Sequence, residues 1–293
     1  MARTDGGLSF AKYHGTGNDF VMIEDLEDRV ALNAGLVADL CDRHRGVGAD
    51  GVIRIAPGRG ADFFMDYWNA DGDVAEMCGN GIRCLAKYVF DRGLTDRTEL
   101  QVDTRDGVKQ LALGIEGGRV ATVRVDMGSP ALERKAIPMA GPPDETFVDQ
   151  PFHDAGPRGY TATALSMGNP HLVLFGEDDL ESIDLGVVGP RLEHHPDFPH
   201  RTNVEFVRVH DGVVDVRVWE RGSGATMACG TGACASLVAA SLAGRVGRQA
   251  VVRFPGGELE VEWTPDDRVY LTGPATQVFE GRLDPEWVGE RIP

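Results

Sequence analysis

The stretch EMCGNGIRC, residues 76 to 84, has a second version in MACGTGACA, residues 227 to 235. Each sets one cysteine, Cys78 or Cys229, before a Gly-x-Gly and then opens an apolar run of helical character. The two cysteines lie 151 positions apart (229 − 78). The same offset carries Trp68 of YWNADG onto Trp219 of VWERGS, and Asn18 of GTGNDFV onto Asn169 of SMGNPHL. Three separated motifs in one register, with no gap between them, mark an internal duplication, and a duplication sets architecture. The chain reads as two halves of similar plan, joined near the Pro/Gly-rich IPMAGPPDE at 137 to 145.

Local signals repeat as well. DFVMIED (19 to 25) and HLVLFGE (171 to 177) are short apolar runs of strand type. ADFFMDYW and GVVDVRVW end at the two tryptophans, which are read as sheet-end packing, and the second alternates apolar with polar residues. NVEFVRVHDGVVDVRVW predicts a hairpin turning through Asp211-Gly212, and VVRFPGGELEVEW predicts another turning at Gly256-Gly257. The runs IRCLAKYVFDRG and ACASLVAASLAG predict helices that stop at a glycine. Each half is then strand-rich with one apolar helix, which a sheet wrapped around it would bury. The class is α+β, without the βαβ alternation of a doubly wound sheet. GVGADG (46 to 51) matches the dinucleotide fingerprint but follows a helix-like segment and precedes a strand, the reverse of what that fingerprint requires.

The formal net charge of −17, from 46 acidic and 29 basic residues, repels phosphate backbones and anionic lipid. Nucleic acid and membrane partners are therefore not expected, and no apolar run approaches the roughly 20 residues of a bilayer span. The first residues, MARTDGGLSF, lack the apolar core of a secretory signal, so a cytoplasmic location is expected. Five cysteines in a long chain do not suggest a disulfide framework, and no C-x-x-C spacing suggests zinc. Cys41, Cys84 and Cys234 sit inside apolar helical runs and are read as core. His194, His195 and His200 lie in RLEHHPDFPHRTN (191 to 203), which Pro196 and Pro199 break into a loop without regular ligand spacing, so no metal is expected.

A cysteine at a helix start feels the positive end of the helix dipole, which favours its thiolate. The neighbouring N–H groups lack intrahelical partners and can hold a carboxylate, and glycines let the backbone approach closely. Two such turns on duplicated halves that face each other would place one sulfur on each side of a substrate α-carbon. One thiolate would remove the α-proton and the opposite thiol would return one to the other face.

HGTGNDF, WNADGDVAEMCGNGIRC, SMGNPH, RTNVEFV and WERGSGATMACGTGACA, in that order between about residues 10 and 275, resemble the signature segments of the diaminopimelate epimerase family. The resemblance implies a pseudo-symmetric two-domain fold, with residues 276–293 returning to a first domain of residues 1–128 and a second domain of 129–275. It implies interconversion of LL- and meso-diaminopimelate, in lysine and peptidoglycan-precursor synthesis, by Cys78 and Cys229 without a cofactor, and a homodimer. Carried over by position, Gly79 and Asn80 with Gly230 and Thr231 would cradle the α-carboxylate. Asn18, Asn69, Asn169, Asn203, Glu220 and Arg221 would read the distal amino-acid end, while His171 and Glu220 would tune the thiols. A diaminodicarboxylate suits such a set, with acceptors for ammonium groups and a guanidinium fork for a carboxylate. The chain departs from the family pattern at Ala225, where an acidic residue is usual, and at Gly51, where some members have glutamine. Two other readings stay open: a two-cysteine racemase of another amino acid, and a two-lobed amino-acid binding protein without chemistry.

Overall fold

The computed structural model describes residues 7–155, 159–177 and 179–291. The chain divides into two compact units, Met1–Val125 with Gly273–Pro293, and Asp126–Thr272. In the first, β1 (Ser9–Gly15) and β2 (Asn18–Glu24) form a hairpin, and α1 (Ala34–Cys41) leads to β3 (Gly51–Pro57), parallel to β2. β4 (Phe63–Asn69) returns antiparallel to β3, and α2 (Gly79–Asp91) follows. β5 (Glu99–Thr104), β6 (Gly107–Glu116) and β7 (Arg119–Gly128) form an antiparallel meander whose first strand lies parallel to β4.

The second unit repeats the plan. β8 (Phe147–Phe152) and β9 (Tyr160–Ser166) precede β10 (Pro170–Phe175), and α3 (Leu185–Glu193) leads to β11 (Asn203–His210), parallel to β10. β12 (Val213–Glu220) pairs antiparallel with β11 and with the short β13 (Gly224–Thr226), after which α4 (Gly230–Leu242) begins. β14 (Gln249–Phe254) lies parallel to β12, and β15 (Gly257–Trp263) and β16 (Val269–Gly273) continue antiparallel. The chain then re-enters the first unit, where β17 (Thr276–Arg282) pairs with β1 and α5 (Pro285–Gly289) ends the described structure. The architecture is α+β, two duplicated strand-rich units each with a central helix.

That central helix explains the two apolar runs. α2 buries all but three of its 13 residues, including Ile82, Cys84, Leu85 and Val89; α4 buries Ala233 through Ala240 without a break. α4, packed on nearly all sides, has no polar stripe to show, whereas α2 keeps Lys87 and Asp91 paired at 2.8 Å on its less buried side. Each fully buried aliphatic side chain contributes about 1.5–3 kcal/mol. Gly93 and Gly244, both at positive φ, stop the helices. The other face of each sheet carries a shorter helix. Around α1, Leu36, Val37, Leu40 and Cys41 pack with Val21, Ile23 and Val52; around α3, Leu185 and Leu192 pack with Leu172, Val204 and Phe206.

Four sequence expectations change. IPMAGPPDE is not a join between halves, because Ile137 and Met139 are buried in the core of the second unit; the division falls at Val125/Asp126 instead. The duplication is not gapless: Val52 pairs with Trp68 and Val204 with Trp219, so the offset is 152 at β3 (204 − 52) against 151 at β4 (219 − 68). Phe254 pairs with Gly257, which puts Pro255-Gly256 at the turn rather than Gly256-Gly257. The stretch 191 to 203 begins as the end of α3, since Pro190 is followed by helix as far as Glu193. The other hairpin turns through Asp211 (φ 51) and Gly212 (φ 78), the two positive-φ residues its turn type needs.

Candidate active site

Each cysteine of the repeated motif is the N-cap of a central helix. Cys78 Sγ accepts from the N–H of Gly81 at 3.5 Å, and Cys229 Sγ from the N–H of Gly232 at 3.3 Å. A sulfur thus does the work that a serine or aspartate oxygen usually does at this position. Gly79, Asn80, Gly230 and Thr231 form the first turns, where N–H groups have no intrahelical acceptor. The glycine at the third helical position lets the turn lie on its sheet: a Cβ on Gly81 would stand 2.6 Å from Ile53 Cδ1, and one on Gly232 would stand 2.9 Å from Glu205 Oε1.

In the first unit, Asn18 joins the thiol to the helix. Its Oδ1 lies 3.6 Å from Cys78 Sγ and accepts from Asn80 Nδ2 at 3.3 Å, while its own Nδ2 donates to Asp50 Oδ2 at 2.8 Å. Arg83, absent from the sequence-based set, is fully buried behind this turn. It donates to Gly79 O at 2.9 Å, Asn80 Oδ1 at 3.0 Å, Thr16 Oγ1 at 3.1 Å and Pro274 O at 3.2 Å. Its sequence signal is an arginine inside an apolar helix, where an unpaired charge could not be buried. Asn69 is half-buried at the end of β4, beside a turn closed by Gly72 N–H to Asn69 O. The GVGADG loop is held by Lys12 on Gly48 O and by Asp50 N–H on Asp19 O, so it serves β2 and β3.

In the second unit, Asn169 Nδ2 donates to Thr231 Oγ1 at 3.3 Å, and that oxygen lies 3.5 Å from Cys229 Sγ. His171 is fully buried on β10, with Nε2 2.9 Å from Asn169 Oδ1 and Nδ1 2.7 Å from Glu205 Oε1. Glu205, fully buried on β11, is the second residue that the sequence reading missed; it stood in view inside RTNVEFV. Glu220 accepts from Thr226 Oγ1. Asn203 donates to Pro170 O at 2.9 Å and accepts the N–H of Arg221 at 2.8 Å, and Arg221 Nη1 reaches His200 O at 3.3 Å. Glu193 ties this corner together, accepting from Trp219 Nε1 at 2.8 Å and from the N–H of Gly222 at 3.0 Å.

The electrostatics of Cys229 differ from the helix-start expectation. Burial first, then the negative charges of Glu220 and Glu205, push its thiol well above the ordinary value, against bonds from Thr231 and Gly232. Desolvation outweighs the half charge of a helix N-terminus. Burial likewise raises the carboxyls of Glu205 and Glu220. Cys41 and Cys84 are pushed up to about 12, in both cases chiefly by burial. Among the described residues, no group of three or more His, Cys, Asp or Glu is placed to hold a metal ion, and no helix is long and apolar enough to cross a membrane.

Two units of one plan, each with a cysteine-capped central helix, make up the fold. Solved structures share the fold: a hydroxyproline epimerase from Agrobacterium vitis superposes with a TM-score of 0.66 at 15% identity, covering 97% of this chain and 92% of that one. A predicted epimerase from Pseudomonas aeruginosa gives 0.64 at 15% identity, covering 94% and 99%. The sequence is more particular. The profile of the family described as diaminopimelate epimerase matches residues 10–133 and 163–278. A diaminopimelate epimerase of Moorella thermoacetica is 50% identical over 277 residues, 94% of this chain and 98% of that protein. Its counterpart in Desulforudis audaxviator is 50% identical over 279 residues, 94% and 99%. The chain belongs to the diaminopimelate epimerase family and is an isomerase.

Proposed function

We propose that the protein interconverts LL- and meso-diaminopimelate, with Cys78 and Cys229 acting as acid and base on the two faces of one α-carbon. The observation that carries this reading is the cysteine-capped helix start, built twice with the same N–H to Sγ bond from its third residue. One sulfur, as thiolate, takes the α-proton as the C–H bond breaks. The electron pair moves onto the carboxylate, and the other sulfur gives its proton to the opposite face. The N–H groups at the helix starts, on Gly79, Asn80, Gly230 and Thr231, suit the charge that grows on that carboxylate, where aimed donors lower a barrier most. Asn69, Asn203, Glu220 and Arg221 offer what a second amino-acid end needs, and a monocarboxylate substrate would leave Arg221 without use.

The test is purified protein with LL-diaminopimelate under reducing conditions in deuterated water. Expected are α-deuterium incorporation and meso product by chiral separation. Binding without exchange would leave an amino-acid binding protein. Exchange of alanine or proline as fast as diaminopimelate would leave a racemase of another amino acid.

A further inference from the structure

The duplication isolates something that its first copy lacks. By strand register, Phe20 pairs with Gly51 where His171 pairs with Asn203, and Ile53 follows in β3 where Glu205 follows in β11. Phe20 therefore corresponds to His171, and Ile53 to Glu205. The central helices agree, since the space beside Gly81 is bounded by Ile53 and Phe20 and that beside Gly232 by Glu205. One cysteine turn rests on hydrocarbon and the other on a buried imidazole and carboxyl. Burying such a pair where two apolar side chains fit costs desolvation and gains nothing in packing. The second oxygen of Glu205, Oε2, also has no hydrogen-bond partner among the described residues. A role beyond packing is required.

The bonds form one line: Glu205 Oε1 to His171 Nδ1 at 2.7 Å, Nε2 to Asn169 Oδ1 at 2.9 Å, Asn169 Nδ2 to Thr231 Oγ1 at 3.3 Å, and Oγ1 to Cys229 Sγ at 3.5 Å. We propose that Glu205 is a positioning residue that, through His171, Asn169 and Thr231, lets Cys229 share one proton with the His171–Glu205 pair. The proposal rests on the reading of Cys229 as a reacting thiol and adds how its charge is set.

Two arrangements satisfy every atom of the line. In the first, His171 Nε2–H donates to Asn169 Oδ1, Asn169 Nδ2 donates to Thr231, and the Thr231 hydroxyl donates to a Cys229 thiolate. In the second, the Asn169 amide is turned over. Its Nδ2 donates to a bare Nε2, its Oδ1 accepts the Thr231 hydroxyl, and the Cys229 S–H donates to Thr231 Oγ1. One proton sits on Nε2 in the first arrangement and on Sγ in the second, while another stays between Nδ1 and Oε1. Both carry one net negative charge, so exchange between them takes no proton from solvent. The charges acting on Cys229 are Glu220 on β12 and Glu205 on β11, and His171 on β10 acts on both carboxyls. With Glu205 neutralised, an imidazolium at His171 loses the carboxylate that balances it, so the first arrangement is disfavoured. A thiolate then forms chiefly by releasing a proton to water, and its fraction follows pH. Glu220, which also bonds Cys229, is the same in both proteins.

Ultraviolet thiolate absorbance reads this directly, as the difference between the protein and its Cys229→Ala variant, without substrate and without a reagent that must reach a buried sulfur. The expected Cys229 signal is flat within about twofold from roughly pH 6.5 to 8.5. In Glu205→Gln, compared with Glu205→Gln/Cys229→Ala, it should rise about tenfold per pH unit below its midpoint. Thr231→Val breaks the line at its far end, leaves Glu205 intact should Glu205→Gln fail to fold, and should lose the plateau too, while Thr231→Ser should keep it. A wild-type signal that climbs with pH as an isolated thiol does, or a plateau unchanged in folded Glu205→Gln and Thr231→Val, overturns the proposal. Diaminopimelate turnover is a separate measurement. A plateau with no turnover sinks the proposed function alone, and turnover without a plateau sinks this inference alone.

Discussion

The ring of Tyr67 fills the space into which any side chain at Gly51 would project. A Cβ there would lie 2.7 Å from Tyr67 Cε2 and 2.6 Å from the carbonyl oxygen of Trp68 on the neighbouring strand. The departure from family members with glutamine at this position is thus matched by a neighbour that occupies its room, and Tyr67 is held in turn against Phe20 by an edge contact at 5.9 Å. Gly51→Ala should lower stability by about 1–3 kcal/mol, the usual cost of overpacking a tight site. An unchanged midpoint in denaturant unfolding would show that the strand shifts freely.

The five thiols should separate cleanly on replacement. Cys78→Ala and Cys229→Ala are each expected to abolish epimerisation, because nothing else in either turn can supply the missing acid or base. Cys41→Ala, Cys84→Ala and Cys234→Ala should keep most activity and lose about 1 kcal/mol each from the small cavity left behind. Progress curves with LL-diaminopimelate decide it; an active Cys78→Ala protein would falsify the assignment.

Specificity should reside at the distal end rather than at the sulfurs. Arg221 is exposed, with its backbone N–H on Asn203 and one guanidinium bond to His200 O, which leaves donors for a substrate carboxylate. Arg221→Ala should reduce kcat/KM for diaminopimelate by a few kcal/mol, roughly two to three orders of magnitude. Alanine and glutamate should be poor substrates of the unmodified protein, since a site built for polar groups rejects analogues lacking them. Comparable turnover of glutamate would remove the distal assignment.

Asp25 should make the first unit sensitive to acid. Burial opposes its ionisation, but N–H bonds from Arg29 and Val30, each 2.8 Å, and Arg54 Nη1 at 2.9 Å hold its carboxyl below the ordinary value. A depressed carboxyl binds its proton more weakly folded than unfolded. Its stabilisation is therefore present above the unfolded value near ~3.9 and lost as pH falls through the folded one. Thermal unfolding of Asp25→Asn should begin well below wild type at neutral pH, and the gap should close below about pH 4. A gap that stays constant would mean that the charge is not what matters there.

The cysteine turns were legible because they are local: a capping residue, two glycines and an apolar run lie within nine positions, and the repetition made chance untenable. Glu205 and Arg83 were not legible in the same way. Each is a charged residue within an apolar stretch, and only the neighbours brought in from other elements, His171 on β10 and Thr16 in the β1–β2 turn among them, turn such a residue into a buried partner. The dipole argument for Cys229 failed for a related reason. A helix start can be read along the chain, but the burial that overrides it depends on the sheet packed against it.

The sequence by itself determined the duplication, the α+β class, the two helix-capping cysteines, the Asp211-Gly212 hairpin and the family. All of these are written in spacing and residue type along a few consecutive turns. The tertiary structure decided what spacing could not express. It shifted the register by one residue at β3, absorbed IPMAGPPDE into a core, filled Gly51's room with Tyr67, and set Phe20 and Ile53 under one thiol where His171 and Glu205 lie under the other. The physical reason is that a side chain's charge, room and partners belong to the residues packed against it, and strands far apart in sequence supply them.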